Sequence, residues 1–147
     1  MTRLQEFFRI IKEGGNDKID VLKSIIASEG LSLVNKKDPG SGFPPLWLAC
    51  HDGSLEIAKV LIAEDISSVD EFYDDGNTPL WIASSQGHVE MIKMLIAEGA
   101  SVNEANNEGC TPLYIACDLA HAEAAKVLIE AGALVDKAHR NGTSPLL

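Results

Sequence analysis

Cys117, Asp118 and His121 fall inside one short stretch, ACDLAH, and a thiol, a carboxylate and an imidazole so close together are the parts of an activated nucleophile and its base. A structural role competes for the same thiol. Cys50, Ser84 and Cys117 follow one another at steps of 34 and 33, each a small side chain in the same local context. That slot faces a neighbouring helix and makes Cys117 a buried structural thiol. His88 and His121 are also 33 apart, and each opens a helix where its polar ring satisfies the preceding turn. No two of His51, His88, His121 and His139 combine with a third donor at a metal-ligand spacing, and the glycines all belong to turns rather than to a phosphate-cradling loop. The prediction is therefore no enzyme and no cofactor. The chemistry that remains is that of surfaces. Rings recur at Trp47, Trp81 and Tyr114, and Phe72 and Tyr73 stand beside the carboxylates of Asp74 and Asp75.

What must position these residues is written in the spacing. Pro-Leu occurs at Pro45-Leu46, Pro79-Leu80, Pro112-Leu113 and Pro145-Leu146, at steps of 34, 33 and 33. Gly42, Gly76, Gly109 and Gly142 precede these pairs, and Val69, Val102 and Val135 follow in the same beat. Thr78, Thr111 and Ser144 stand directly before a proline. A hydroxyl there can accept the free amides of a starting helix, and proline at the first helical position loses no bond. Gly87-His88 closes that short helix and opens a second, VEMIKMLIAEG, with Val89, Ile92, Leu95 and Ile96 on one face and Gly99 as its stop. The second helices share i, i+3 pairs at Glu56/Lys59, Glu90/Lys93 and Glu123/Lys126. Asp20 and Lys23 repeat the pattern in KIDVLKSIIASEG, which makes the opening segment a degenerate first unit whose Leu4, Phe7, Phe8 and Ile11 turn inward.

The chain has 147 residues, 46% of them hydrophobic but only 5% aromatic, so its core is mostly aliphatic. Twelve Lys and Arg against 22 Asp and Glu leave a charge of -10, which disfavours nucleic acid and acidic membranes and favours basic or neutral protein partners. The three cysteines show no disulfide spacing and point to a reducing compartment, cytoplasmic or nuclear. Charges break the apolar residues of MTRLQEFFRIIKEGG, so it does not read as a signal peptide, and no apolar run reaches the roughly 20 residues of a membrane span.

The period near 33, TPLWIA and TPLYIA, the following Gly-His, and the endings EGASVN and AGALVD resemble the ankyrin-repeat family over residues 3 to 147. The resemblance implies an all-α ankyrin-repeat solenoid of stacked helix-turn-helix units with hairpin or β-turn fingers along one edge. Residues 1–147 then form one domain: a capping repeat at 1–37, repeats at 38–72, 73–105 and 106–138, and a truncated repeat at 139–147. Family members grip other proteins through the concave surface of fingers and first helices. Carried onto this chain, that surface comprises Phe43, Trp47, His51 and Asp52; Phe72, Tyr73, Asp74, Asp75, Asn77, Trp81, Ser85 and Gln86; Asn107, Glu108, Cys110, Tyr114 and Asp118; and Arg140 and Asn141. Its acidic excess predicts a protein partner with a basic patch, bound by a monomer. Two alternatives share the surface: an inhibitor or regulatory subunit of an enzyme such as a protein kinase, and a piece of a longer scaffold.

Five departures from the repeat carry their own expectations. Pro44 cannot cap its helix as Thr78 and Thr111 do. Trp47, Trp81 and Tyr114 replace the usual histidine, either to pack beneath the fingers or to touch a partner. One extra residue in EDISSVDEFYDDG, where Asp65 replaces the stopping glycine, lengthens a finger, and Phe72 either caps its tip or folds back. Ala120 replaces the glycine between helices, which predicts mild strain. Cys110, equivalent to Phe43 and Asn77, is expected to be an exposed finger-tip thiol open to oxidation.

Overall fold

The computed structural model describes residues 1–137 together with Gly142 and Ser144. Most of the truncated repeat, with Arg140 and Asn141, lies outside the described residues. The chain folds as two compact units, Met1–Ser68 and Val69–Leu147. Among the described residues the regular structure is all helical, with eight α-helices and no strand.

The first unit holds α1 (Arg3–Glu13), α2 (Ile19–Glu29), α3 (Pro45–Asp52) and α4 (Leu55–Glu64). Thr2 and Gln5 start α1 reciprocally: Gln5 N donates to Thr2 Oγ1 at 3.2 Å, and Thr2 N donates to Gln5 Oε1 at 2.8 Å. Phe7, Phe8, Ile10 and Ile11 form the buried stripe, whereas Leu4 is only half-buried. α1 packs on α2 and α3, and α2 packs on α4. Between them lie Leu22, Ile25, Leu46, Ile57 and Leu61, each removing apolar surface worth roughly 25 cal/mol per Å² from water. With Pro44 as its N-cap, α3 starts without a side-chain cap. The finger ahead of it is organised instead by Asp38, which is 5% exposed. Asp38 Oδ2 accepts from Lys12 Nζ at 2.6 Å, Ser41 N at 2.8 Å and Ser41 Oγ at 2.6 Å. Burial alone would raise this carboxyl, but the hydrogen bonds from Lys12 and Ser41 outweigh it and hold the pKa at about 2.

The second unit holds α5 (Pro79–Gln86), α6 (Val89–Ala97), α7 (Pro112–Asp118) and α8 (Ala122–Glu130). Both first helices start as the sequence predicts. Trp81 N donates to Thr78 Oγ1 at 3.2 Å and Tyr114 N to Thr111 Oγ1 at 3.1 Å. α5 packs on α6 and α7, and α8 packs on α6 and α7, around Leu80, Met91, Ile92, Leu95, Leu113 and Leu128. Of the face expected on α6, Ile92 and Leu95 are buried while Val89 and Ile96 are half-buried, and Met91 joins the core. Gly87 closes α5 at φ 70, and Ala120 takes the same left-handed conformation at φ 60, so the predicted strain is present. On the solvent side Lys93 Nζ reaches Glu90 at 2.9 Å, as Lys59 Nζ reaches Glu56 at 2.7 Å in the first unit.

The extra residue does not lengthen a finger. One turn is closed by Tyr73 N to Asn77 O at 3.1 Å and Gly76 N to Tyr73 O at 2.7 Å; the next by Asn106 N to Cys110 O at 3.0 Å and Gly109 N to Asn106 O at 2.9 Å. The bonding and turn length are the same. The insertion lies earlier, where α6 ends on Gly99 at φ 95 but α4 ends on Asp65 at φ -143 and runs into a 3₁₀ turn, Ile66–Asp70. Without a left-handed glycine the chain cannot reverse at once, and it uses the added residue in that tighter helical turn.

Candidate functional site

In the second unit the helix caps and finger turns bring two consecutive repeats together around a cleft. Capping by Thr78 and Thr111 fixes the first turns of α5 and α7, which place Trp81 and Tyr114 at equivalent points on its wall. Asp75, Asn77, Asn106, Asn107, Glu108 and Cys110 come from the fingers, and Ile115 and Asp118 from α7; the cleft measures about 550 Å³.

Its rim is tied by hydrogen bonds between fingers. Asn107 N donates to Asp75 O at 3.0 Å, Asn107 Nδ2 to Asp74 O at 3.1 Å, and Asn106 Nδ2 to Asn77 Oδ1 at 2.8 Å. Within its own finger Asn106 Oδ1 accepts from Glu108 N and Cys110 N, both at 3.0 Å, and Asp75 accepts from Asn77 N and Nδ2 at 3.2 and 2.7 Å. Gly76 has no alternative in this arrangement: a Cβ there would stand 2.8 Å from Asn107 N, on backbone already at φ 81.

Asp75, Asn77, Trp81, Asn107, Glu108, Cys110, Tyr114 and Asp118, each proposed from sequence, therefore share one cleft. Asn106 and Ile115 were missed. Asn106 could have been found, since Asn ahead of a Glu-Gly turn is the residue type that closes such a turn with its side chain.

Four residues here differ from expectation in burial. Cys110 is 4% exposed, not a free finger-tip thiol, because its backbone closes the turn and folds the side chain inward. Burial pushes its thiol pKa up, and the nearby indole N–H of Trp81 offsets this partly without completing a hydrogen bond. Asn77 is also buried and serves the turn, not the surface. Ser85 is buried too: its hydroxyl donates to Ile82 O at 2.7 Å, and its carbonyl is bridged by His121 Nε2 at 2.9 Å. That bond directs His121 to the preceding repeat rather than to the turn before its own helix, where sequence placed its role. Cys117 is only part-buried, not the buried thiol expected from its slot, whereas Cys50 in the equivalent slot is fully buried; burial raises both thiols.

Phe72 is 69% exposed, which settles the choice between a tip and a folded-back ring in favour of exposure. With Tyr73, Asp74 and the exposed Gln86 it lies in the second unit but outside the cleft lining. In the first unit Phe43, Trp47 and His51 form a column along α3. The Phe43 and Trp47 rings stack at 3.8 Å and 7°, and Trp47 and His51 at 5.1 Å and 10°. His51 Nδ1 lies 2.8 Å from Asp52 Oδ1. Among the described residues no group of three His, Cys, Asp or Glu side chains could hold a metal ion.

Residues 8–106 and 65–141 match the family described as Ankyrin repeats (3 copies). The chain belongs to the ankyrin-repeat family. Ankyrin repeats are generally protein–protein interaction modules, and the finger turns and first helices described above are the repeating parts of such a module. No curated protein shows a significant match to the chain.

Proposed function

We propose that this ankyrin-repeat chain acts by binding, not catalysis, and that it holds a partner protein through the finger turns and first helices of its second unit, facing a basic patch on that partner. The observation that carries the reading is the cleft itself, whose rim and wall join Trp81 and Tyr114 to Asp75, Glu108 and Asp118. Two aromatic bodies supply buried area and the carboxylates supply complementarity to positive charge. The charge of -10 extends the attraction beyond the cleft. The exposed ring of Phe72 adds a second anchor on the same unit. His121, bonded to Ser85 O, is not poised as a base for Cys117, which favours binding over catalysis. Three unpaired thiols suit a reducing compartment.

The test is affinity capture with the wild type beside two variants, Phe72→Ala/Tyr73→Ala and Asp74→Lys/Asp75→Lys/Glu108→Lys, after circular dichroism confirms that both fold. A specific partner should be lost from the first variant, and its association with the second should slow and lose most of its salt dependence. Equal capture by all three proteins, with the same response to salt, would remove the proposal.

A further inference from the structure

The wall chemistry of the cleft selects its guest. Three carboxylates border it, no lysine or arginine lines it, and among the described residues no cation pairs with Asp75, Glu108 or Asp118. An anion entering there meets like charge, and a purely apolar guest leaves carboxylates desolvated without a counter-ion. A cation gains from both kinds of wall: aromatic rings such as those of Trp81 and Tyr114, which line the cleft, attract cations through their quadrupoles, and the carboxylates accept charge-assisted hydrogen bonds.

Shape separates the two biological candidates. A volume of about 550 Å³ exceeds what one ammonium group fills. Guanidinium is planar, stacks on aromatic faces, sheds water more readily than ammonium and presents five donors that can reach separated acceptors together. The acceptors here are separated, because Asp75 and Glu108 come from successive fingers and Asp118 from the end of α7. Hydrogen bonds between Asn106, Asn107, Asp74, Asp75 and Asn77 already fix the fingers, so a guest does not have to order them.

Building on the partner-binding reading, we propose that this cleft receives an arginine side chain presented by the partner protein, its guanidinium against Trp81 and Tyr114 and its N–H groups directed to Asp75, Glu108 and Asp118. The test needs no partner. ¹⁵N-labelled protein is titrated with the amide of Nα-acetyl-arginine, with the lysine and citrulline amides as controls. The arginine probe should shift the Trp81 indole and the Glu108 and Cys110 amide resonances saturably, with a midpoint on the order of 1 mM. Citrulline, which keeps the shape but not the charge, should bind at least about fivefold more weakly, and lysine at least about threefold. In the near-isosteric Glu108→Gln/Asp118→Asn variant arginine should weaken by at least about fivefold, with the remaining resonances unmoved. No saturable shift, equal shifts from citrulline or lysine, or unaltered affinity in the double variant would overturn the assignment. Such a failure beside intact finger-dependent capture would remove the arginine and leave the binding module. Loss of finger-dependent capture alone would remove the module.

Discussion

Replacing Ala120 by glycine should stabilise the protein. Ala120 is the one non-glycine residue at positive φ among the described residues, at φ 60, and its counterparts between helices are Gly53 at φ 73 and Gly87 at φ 70. A left-handed conformation costs an L-residue about 1–2 kcal/mol, while the extra freedom of glycine in the unfolded chain takes back about 0.5–1 kcal/mol. The net gain is roughly 0.5–1 kcal/mol, a rise in melting temperature of about 2–4 °C for a chain of this size. The converse change, Gly87→Ala, should cost more than Ala120→Gly gains. Its new Cβ would stand 2.6 Å from His121 Nδ1, on a ring held at 2.9 Å by the Ser85 carbonyl. Strain plus a disturbed hydrogen bond puts the loss at roughly 2–4 kcal/mol. Urea denaturation followed by circular dichroism measures both. Because repeat arrays open by units, amide exchange in α7 and α8 should locate the gain from Ala120→Gly. An unchanged or lowered midpoint for that variant would refute the strain argument.

Two other perturbations follow. Asp38→Asn should destabilise the first unit near neutral pH. The wild-type carboxyl is depressed from 3.8 to about 2 in the folded state, so its contribution is complete above the unfolded value and disappears as pH falls through about 2. The gap between wild type and variant in a denaturation series should therefore be largest above pH 5 and close by pH 2; a constant gap would mean that charge plays no part. An aromatic disulfide reagent at pH 8 should modify part-exposed Cys117 at least about tenfold faster than buried Cys50 and Cys110, with all three reacting in denaturant. Faster labelling of Cys110 would show that its finger does not enclose it.

Backbone-level features were the legible ones. Pro after Thr told where α5 and α7 begin, Gly87 where α5 ends, and Ala120 where a glycine was missing, because each is a local steric or hydrogen-bonding rule. The cleft was legible only in part: Asp75, Asn77, Trp81, Asn107, Glu108, Cys110, Tyr114 and Asp118 line it, while Phe43, Trp47, His51 and Asp52 lie in the first unit and Phe72, Tyr73, Asp74, Ser85 and Gln86 stand outside its lining. Burial within the fingers was not. Cys110 and Asn77 occupy sequence positions that look like tips, yet both turn under, because a five-residue turn closed by a backbone bond from its first residue to its last leaves that last residue facing the helix start. The site of the insertion was also hidden, since counting residues between prolines cannot tell a longer finger from a longer helix exit.

The 3₁₀ turn at Ile66–Asp70 has a consequence for how such a chain can vary. An added residue has been taken up there while the Tyr73–Asn77 turn keeps the bonding of its neighbour at Asn106–Cys110. Helix exits are thus shock absorbers for length change, and finger turns are not. Sequence drift can lengthen or shorten the former without disturbing the finger turns, whereas a single deletion between Tyr73 and Asn77 would throw Asp75 out of step with Asn107.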